Sequence, residues 1–130
     1  MSTQLAATIS QIWALVDECV ETGWDGDEGQ PISEIAAKVA ADFVSDLPPD
    51  VSLPEVAPEP DGSISLDWIQ SRSRLFSLSI GKGSRLPYAW LDGADVGHGV
   101  AFFDGETAPP TILEGIRRIT HDGNAAVRTL

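Results

Sequence analysis

The sequence predicts an α+β domain with two N-terminal helices, an antiparallel meander sheet of four to five strands, and one C-terminal helix packed on the sheet. Three observations carry that expectation. Apolar residues recur at helical spacing up to Leu47, and from Ser63 onward they alternate with polar ones. Turn signals return about every ten residues in that second half, the rhythm of an antiparallel meander. Between the two regimes lies a proline-rich stretch ending at Asp61-Gly62, a dipeptide that marks tight hairpins because Gly and Asp tolerate positive φ.

The elements follow in order. Residues 4–20 place Leu5, Ile9, Ile12, Trp13, Val16 and Val20 on one helical stripe, with Ser2 or Thr3 available as cap. Residues 23–30 carry three glycines among acids and read as a loop. Pro31 suits the first turn of a second helix, where its missing N–H costs nothing, and Ile32, Ile35, Ala36, Val39, Ala40 and Phe43 form the stripe that Pro48-Pro49 ends. Residues 48–60 hold five of the nine prolines, so they are expected to be extended and to run as an edge strand.

Ile64, Leu66 and Trp68 then alternate with Ser65 and Asp67, and Phe76, Leu78 and Ile80 alternate with Ser77 and Ser79. Gly81 to Ser84 forms a turn, a third strand covers Leu86 to Leu91, residues 93–99 form another turn, and Val100 to Phe103 supply a short last strand. Serines and charges opposite the apolar set indicate that only one sheet face is covered. Residues 107–111 enter a helix whose stripe is Ile112, Leu113, Ile116 and Ile119, ending near Gly123. Residues 1–123 are expected to form one domain and residues 124–130 a frayed tail.

A chain of 130 residues that is 42% hydrophobic is long enough to bury its own core. It has neither an apolar run of about 18 residues nor the pattern of a signal peptide, so a cytoplasmic protein without a membrane span is expected. The single cysteine, Cys19, cannot form an internal disulfide and reads as a small apolar residue of the first helix. The net charge of −12 is unevenly spread. Residues 1–60 hold twelve acids against Lys38 alone, whereas residues 61–130 hold eight acids against seven basic residues. Such a field repels nucleic acid and anionic membrane and favours a basic protein surface.

Candidate chemistry is sparse. The acids of Asp25-Gly26-Asp27-Glu28-Gly29 suggest a calcium loop, but counting from Asp25 the sixth position is Gln30 and the twelfth is Ala36, where Gly and Glu are needed. Gly81-Lys82-Gly83-Ser84 lacks the earlier glycine of a phosphate loop, since Phe76 stands there. His98 and His121 have no ligand spacing, and His98 between two glycines reads as an exposed turn residue. No Gly-x-Ser-x-Gly elbow is present. No catalytic, cofactor or metal residue is therefore assigned. The acids near the strand ends, Asp92, Asp95, Asp104 and Glu106, are the only candidates for a small hydrolase or metal-dependent enzyme.

Trp68, Tyr88, Trp90, Phe102 and Phe103 are the densest aromatic set, and Trp90 is the one expected outside if Tyr88 and Trp90 do not both fit within. Arg72, Arg74, Lys82 and Arg85 flank the second meander strand as a modest basic edge. Trp90, Arg72, Arg74 and Arg85 are thus the expected contact surface, for self-association or for a charged protein.

Trp24-Asp25-Gly26, the helix ending at Leu47-Pro48, Pro58-Glu59-Pro60-Asp61-Gly62-Ser63-Ile64, Phe76 to Ile80, and Tyr88-Ala89 together resemble a group of small bacterial proteins with no assigned activity. The resemblance spans residues 20–120 and implies a bacterial source and a shared domain. It brings no site residue or cofactor. The functional expectation is a non-enzymatic protein-binding module, antitoxin-like or immunity-like in its specific form, that meets a basic partner through its acidic helical half or an exposed sheet face.

Overall fold

The first helix, α1, runs Thr3–Glu18, and its start is capped by Ser2, whose Oγ accepts the Leu5 N–H at 3.0 Å. The computed structural model describes residues 2–24, 26 and 29–128, with side chains described up to Thr120. Ile12 and Thr8 are buried on α1, with Leu5, Leu15 and Val16 packed beside them. Trp13 and Val20, expected in the same stripe, stay 40% and 57% exposed. Trp13 lies one residue, about 100° of helix, beyond the buried Ile12, and that rotation carries it off the core face, whereas Val20 lies past the end of α1, beyond its C-cap Cys19.

The second helix, α2, is Glu34–Asp46 and starts three residues later than Pro31 suggests. Ser33 caps it, its Oγ accepting the N–H groups of Ile35 and Ala36. Residues 30–33 are extended because their N–H groups are used elsewhere: Gln30 donates to Pro60 O, Ile32 to Cys19 O and Ser33 to Gly62 O. Ile35 consequently sits in the first turn and is 58% exposed, while Ala36, Ala40, Phe43 and Val44 face inward.

The proline connector yields a four-residue edge strand, β1 (Glu55–Pro58), followed by β2 (Ile64–Ser71), β3 (Arg74–Ile80), β4 (Arg85–Asp92) and β5 (Asp95–Phe102). They form a single antiparallel meander in the order β1-β2-β3-β4-β5, as expected. The β1–β2 hairpin differs in detail from a two-residue turn. Glu59 N–H donates to Ser63 O and Gly62 N–H to Glu59 O, which leaves the three-residue loop Pro60-Asp61-Gly62 with only Gly62 at positive φ, +91°. Proline cannot take positive φ, so Pro60 selects the loop in which Gly62 alone does.

The last strand differs more. The expected turn over residues 93–99 shrinks to Gly93-Ala94, and β5 begins at Asp95, so Gly97, His98 and Gly99 are strand residues. A Cβ on Gly97 would fall 2.1 Å from the Trp90 ring, and one on Gly99 would fall 2.6 Å from the Tyr88 hydroxyl. These glycines make room for rings.

The final helix, α3, runs Pro110–Arg128, past the stop expected at Gly123 and into the tail expected to fray; residues 129 and 130 lie outside the described residues. α3 lies across β2, β3 and β4. Ile112, Ile116 and Ile119 are fully buried against Ile64, Leu66, Phe76, Leu78, Ile80 and Leu86 from the sheet, with Ile12 and Phe43 from the other helices. Each such side chain stabilises the fold by roughly 1.5–3 kcal/mol. Gly115 lets α3 approach closely, because a Cβ there would stand 2.4 Å from Phe76.

Candidate interaction surface

Alternation along the strands gives the sheet two faces. The covered face carries Ile64, Leu66, Trp68, Phe76, Leu78, Ile80, Leu86, Tyr88 and Trp90. Tyr88 and Trp90 do both fit there: Tyr88 stacks on Phe76 and Trp90 on Tyr88, with centroids 5.6 and 6.2 Å apart. Trp90 therefore belongs to the helix side, and its Nε1 is buried without a hydrogen-bond partner among the described residues. The aromatic side chain that stands outside is Phe102, 67% exposed.

The opposite face is left open by the helices. One row across it is apolar throughout, Ile69 opposite Leu75, Leu75 opposite Leu91 and Leu91 opposite Val96. Ile69 and Val96 are 52% and 66% exposed, and Val100 and Phe102 stand exposed on the same face of β5 beyond His98. The next row is polar, Glu55, Asp67, Ser77, Ala89 and His98. Asp67 accepts hydrogen bonds from Ser65 Oγ at 2.6 Å and Ser77 Oγ at 2.7 Å, and Glu59 accepts one from Ser79 Oγ. Glu55 and Asp67 stand directly opposite each other, a like-charge pair with no salt bridge among the described residues.

The basic residues are divided. Arg74 Nε binds Asp92 at 3.1 Å and its guanidinium reaches Arg118 O, which ties the β4–β5 hairpin to α3. Arg118 in turn bridges Asp92 and Asp95. Arg72 lies exposed in the β2–β3 turn at that end of the sheet, while Lys82 and Arg85 lie at the far end of β3. The seven-residue β3 separates the two pairs by roughly 20 Å, so they do not form one basic patch.

The four candidate acids are divided in the same way. Asp92 and Asp95 close the β4–β5 hairpin within the arginine network, whereas Asp104 and Glu106 follow the other end of the eight-residue β5, roughly 25 Å away. Asp104 Oδ1 accepts the N–H groups of Glu106 and Thr107 at 2.8 and 2.7 Å, and those bonds hold its carboxyl below the ordinary carboxylate range. All three aspartates are engaged in the local structure, and the pairs do not share a pocket. Two grooves lie elsewhere, along α1 against residues 47–56, and the one ionisable group lining the first, Asp50, pairs with Arg117 at 3.0 Å.

In the glycine-rich loop, Trp24 Nε1 donates to Gln30 O and Gly23 N–H to Gly29 O. Asp25, Asp27 and Glu28, the acids of the calcium reading, lie outside the described residues. Among the described residues no group of three or more His, Cys, Asp or Glu is placed to hold a metal, and no helix is long and apolar enough to cross a membrane. Burial, followed by the charge of Glu18, pushes the Cys19 thiol up.

Sequence reasoning missed the open apolar row because two of its members, Ile69 and Val96, adjoin turns. A signal was present: Asp92-Gly93 marks a tight hairpin, and from Val96 to Phe102 the larger residues Val96, His98, Val100 and Phe102 alternate with glycine and alanine. No family model, curated protein or solved structure matches the chain.

Proposed function

We propose that the chain is a protein-binding module whose working surface is the open face of its sheet. The observation that supports this reading is the apolar row Ile69, Leu75, Leu91 and Val96, exposed at its two ends and half-buried between, with Val100 and Phe102 also exposed on the same face beyond His98. In an antiparallel sheet with one solvated face, that face is ordinarily polar, and contiguous apolar surface on it marks a contact site. The carboxylates of Glu55 and Asp67, which make no salt bridge among the described residues, border the row and give the partner its chemistry. A basic side chain placed between them would relieve their repulsion, and the charge of −12 would speed its approach. In its specific form the reading is a neutraliser of a basic protein, in the manner of an antitoxin or an immunity protein.

The test is affinity capture from the native host with three baits: the wild type, Ile69→Lys/Leu91→Lys, and Asp17→Lys/Glu34→Lys as a helix-side control. The expected result is a basic protein retained by the wild type and the helix variant at low salt, and lost with the face variant. Retention by the face variant, or a retained protein that is acidic, would overturn the reading.

A further inference from the structure

We propose that two copies of this chain join edge to edge through β5, making one continuous sheet of ten strands across a two-fold axis. The inference goes beyond the proposed use of the sheet face and concerns the chain with itself.

The sheet order leaves β1 and β5 as its edges, and they are built differently. β1 has four residues, is bracketed by Pro54 and Pro58, and runs beside α1. Short length and proline are the devices by which edges are protected from pairing. β5 has none of them. It is eight residues long, contains no proline or lysine, and pairs with β4 without a bulge from Asp95 to Phe102.

The phase of its hydrogen bonds is readable. Phe103 N–H donates to Ser84 O at 2.9 Å, one step beyond the pair Arg85 and Phe102. Because alternate residues of an antiparallel strand face the same neighbour, Gly97, Gly99 and Ala101 direct their N–H and C=O groups to β4. Val96, His98, Val100 and Phe102 direct theirs outward, where a further strand would take them.

The occupant that fits is the same strand of a second copy. With −12 charges per chain, two copies repel over most of their surface, but no acid lies between Val96 and Phe103, and the Asp95 carboxylate is held by Arg118. A two-fold axis at Gly99 keeps open face beside open face and sets Val96 opposite the partner's Phe102, twice by symmetry. These are the two most exposed large apolar side chains among the described residues. On the other face the same axis brings Gly97 opposite the partner's Ala101, so no bulky pair meets there, beside the Tyr88 and Trp90 rings.

The test is the mass of the purified full chain at tens of micromolar by sedimentation equilibrium. The expected value for the wild type is twice 13.8 kDa. Val100→Pro removes an N–H that β4 does not use, and Val96→Lys/Phe102→Lys charges the edge; both are expected to sediment as monomers with native circular dichroism. Should the proline variant fail to fold, the lysine pair, altered only in solvated side chains, decides. Ile69→Lys, on the open face away from β5, is expected to remain dimeric. Hydrogen exchange adds a reading specific to the register: the His98 and Val100 amides should gain protection with concentration, with Gly97 and Gly99 protected throughout. A monomeric wild type, dimeric edge variants, or a dimer lost only in Ile69→Lys would overturn the proposal. Since no other protein is present, its failure is distinct from failure of the proposed function.

Discussion

Gly62 and Gly105 share a φ of +91° but have different surroundings, which makes Gly62→Ala a sharp test of how the β1–β2 hairpin is held. An L-residue in the left-handed region costs about 1–2 kcal/mol, and Gly105→Ala, with open space around its Cβ, should show that cost alone. At Gly62 the new Cβ would stand 2.8 Å from the Pro31 carbonyl oxygen, so either the hairpin or residues 30–33 must move. Those two segments are joined by Gln30 N–H to Pro60 O at 2.7 Å and by Ser33 N–H to Gly62 O at 3.1 Å. Weakening them adds about 0.5–1.5 kcal/mol apiece, for a total of about 2–5 kcal/mol. With an unfolding entropy of about 2.1 cal/mol/K per residue over 130 residues, each kcal/mol lowers Tm by about 4 °C. Calorimetry should therefore find Gly62→Ala lowered by about 7–18 °C and Gly105→Ala by about 4–7 °C. Equal shifts would refute the docking of the hairpin on Pro31, and an unchanged Gly62→Ala would refute the loop geometry itself.

Other substitutions probe other joints. Gly97→Val places its side chain where the Trp90 ring lies and should cost about 1–3 kcal/mol, with a red shift in tryptophan fluorescence as the indole is displaced from Tyr88. Asp46 Oδ2 accepts the Ala108 N–H at 2.6 Å and ties the end of α2 to the entry of α3; Asp46→Ala should lower stability by about 1 kcal/mol in urea titration, and Asp46→Asn should restore most of it. Asp104 has its folded pKa lowered by the backbone N–H groups of Thr107 and Glu106, so its contribution is present above the ordinary carboxylate pKa of about 3.9 and is lost as pH falls through the lower folded value. Asp104→Asn should accordingly lose less stability than the wild type between neutral pH and that acid range; parallel urea midpoints would refute it. Cys19, buried and with its thiol pKa raised, should react with a disulfide reagent far more slowly in the native protein than in denaturant.

How far the fold was legible varies with the range of the forces involved. The buried sets of β2, β3 and α3 followed from period alone, because a strand or helix that buries one face must repeat its apolar residues at its own pitch. The start of α2 did not follow from Pro31, since residues 30–33 spend their N–H groups on Cys19, Pro60 and Gly62, partners supplied only by the packed chain. Ile35 and Trp13 went astray for a related reason: the stripe of a helix is as wide as what packs on it, and the sequence of the helix does not state that width.

The surface was the least legible part. The four acids and the basic residues adjacent in the chain are parted by strand length, so proximity in sequence near turns was a poor guide to proximity in space. By itself the sequence determined the α+β class, the meander, the covered face of β2 and β3, and the unequal charge of the two halves, all of which rest on local period and composition. Only the tertiary structure decided that Gly97 and Gly99 are strand residues, because a glycine that makes a turn and a glycine that yields space to a ring are alike in sequence. That decision lengthened β5, turned Val96, Val100 and Phe102 outward, and left an unprotected edge beside an apolar face.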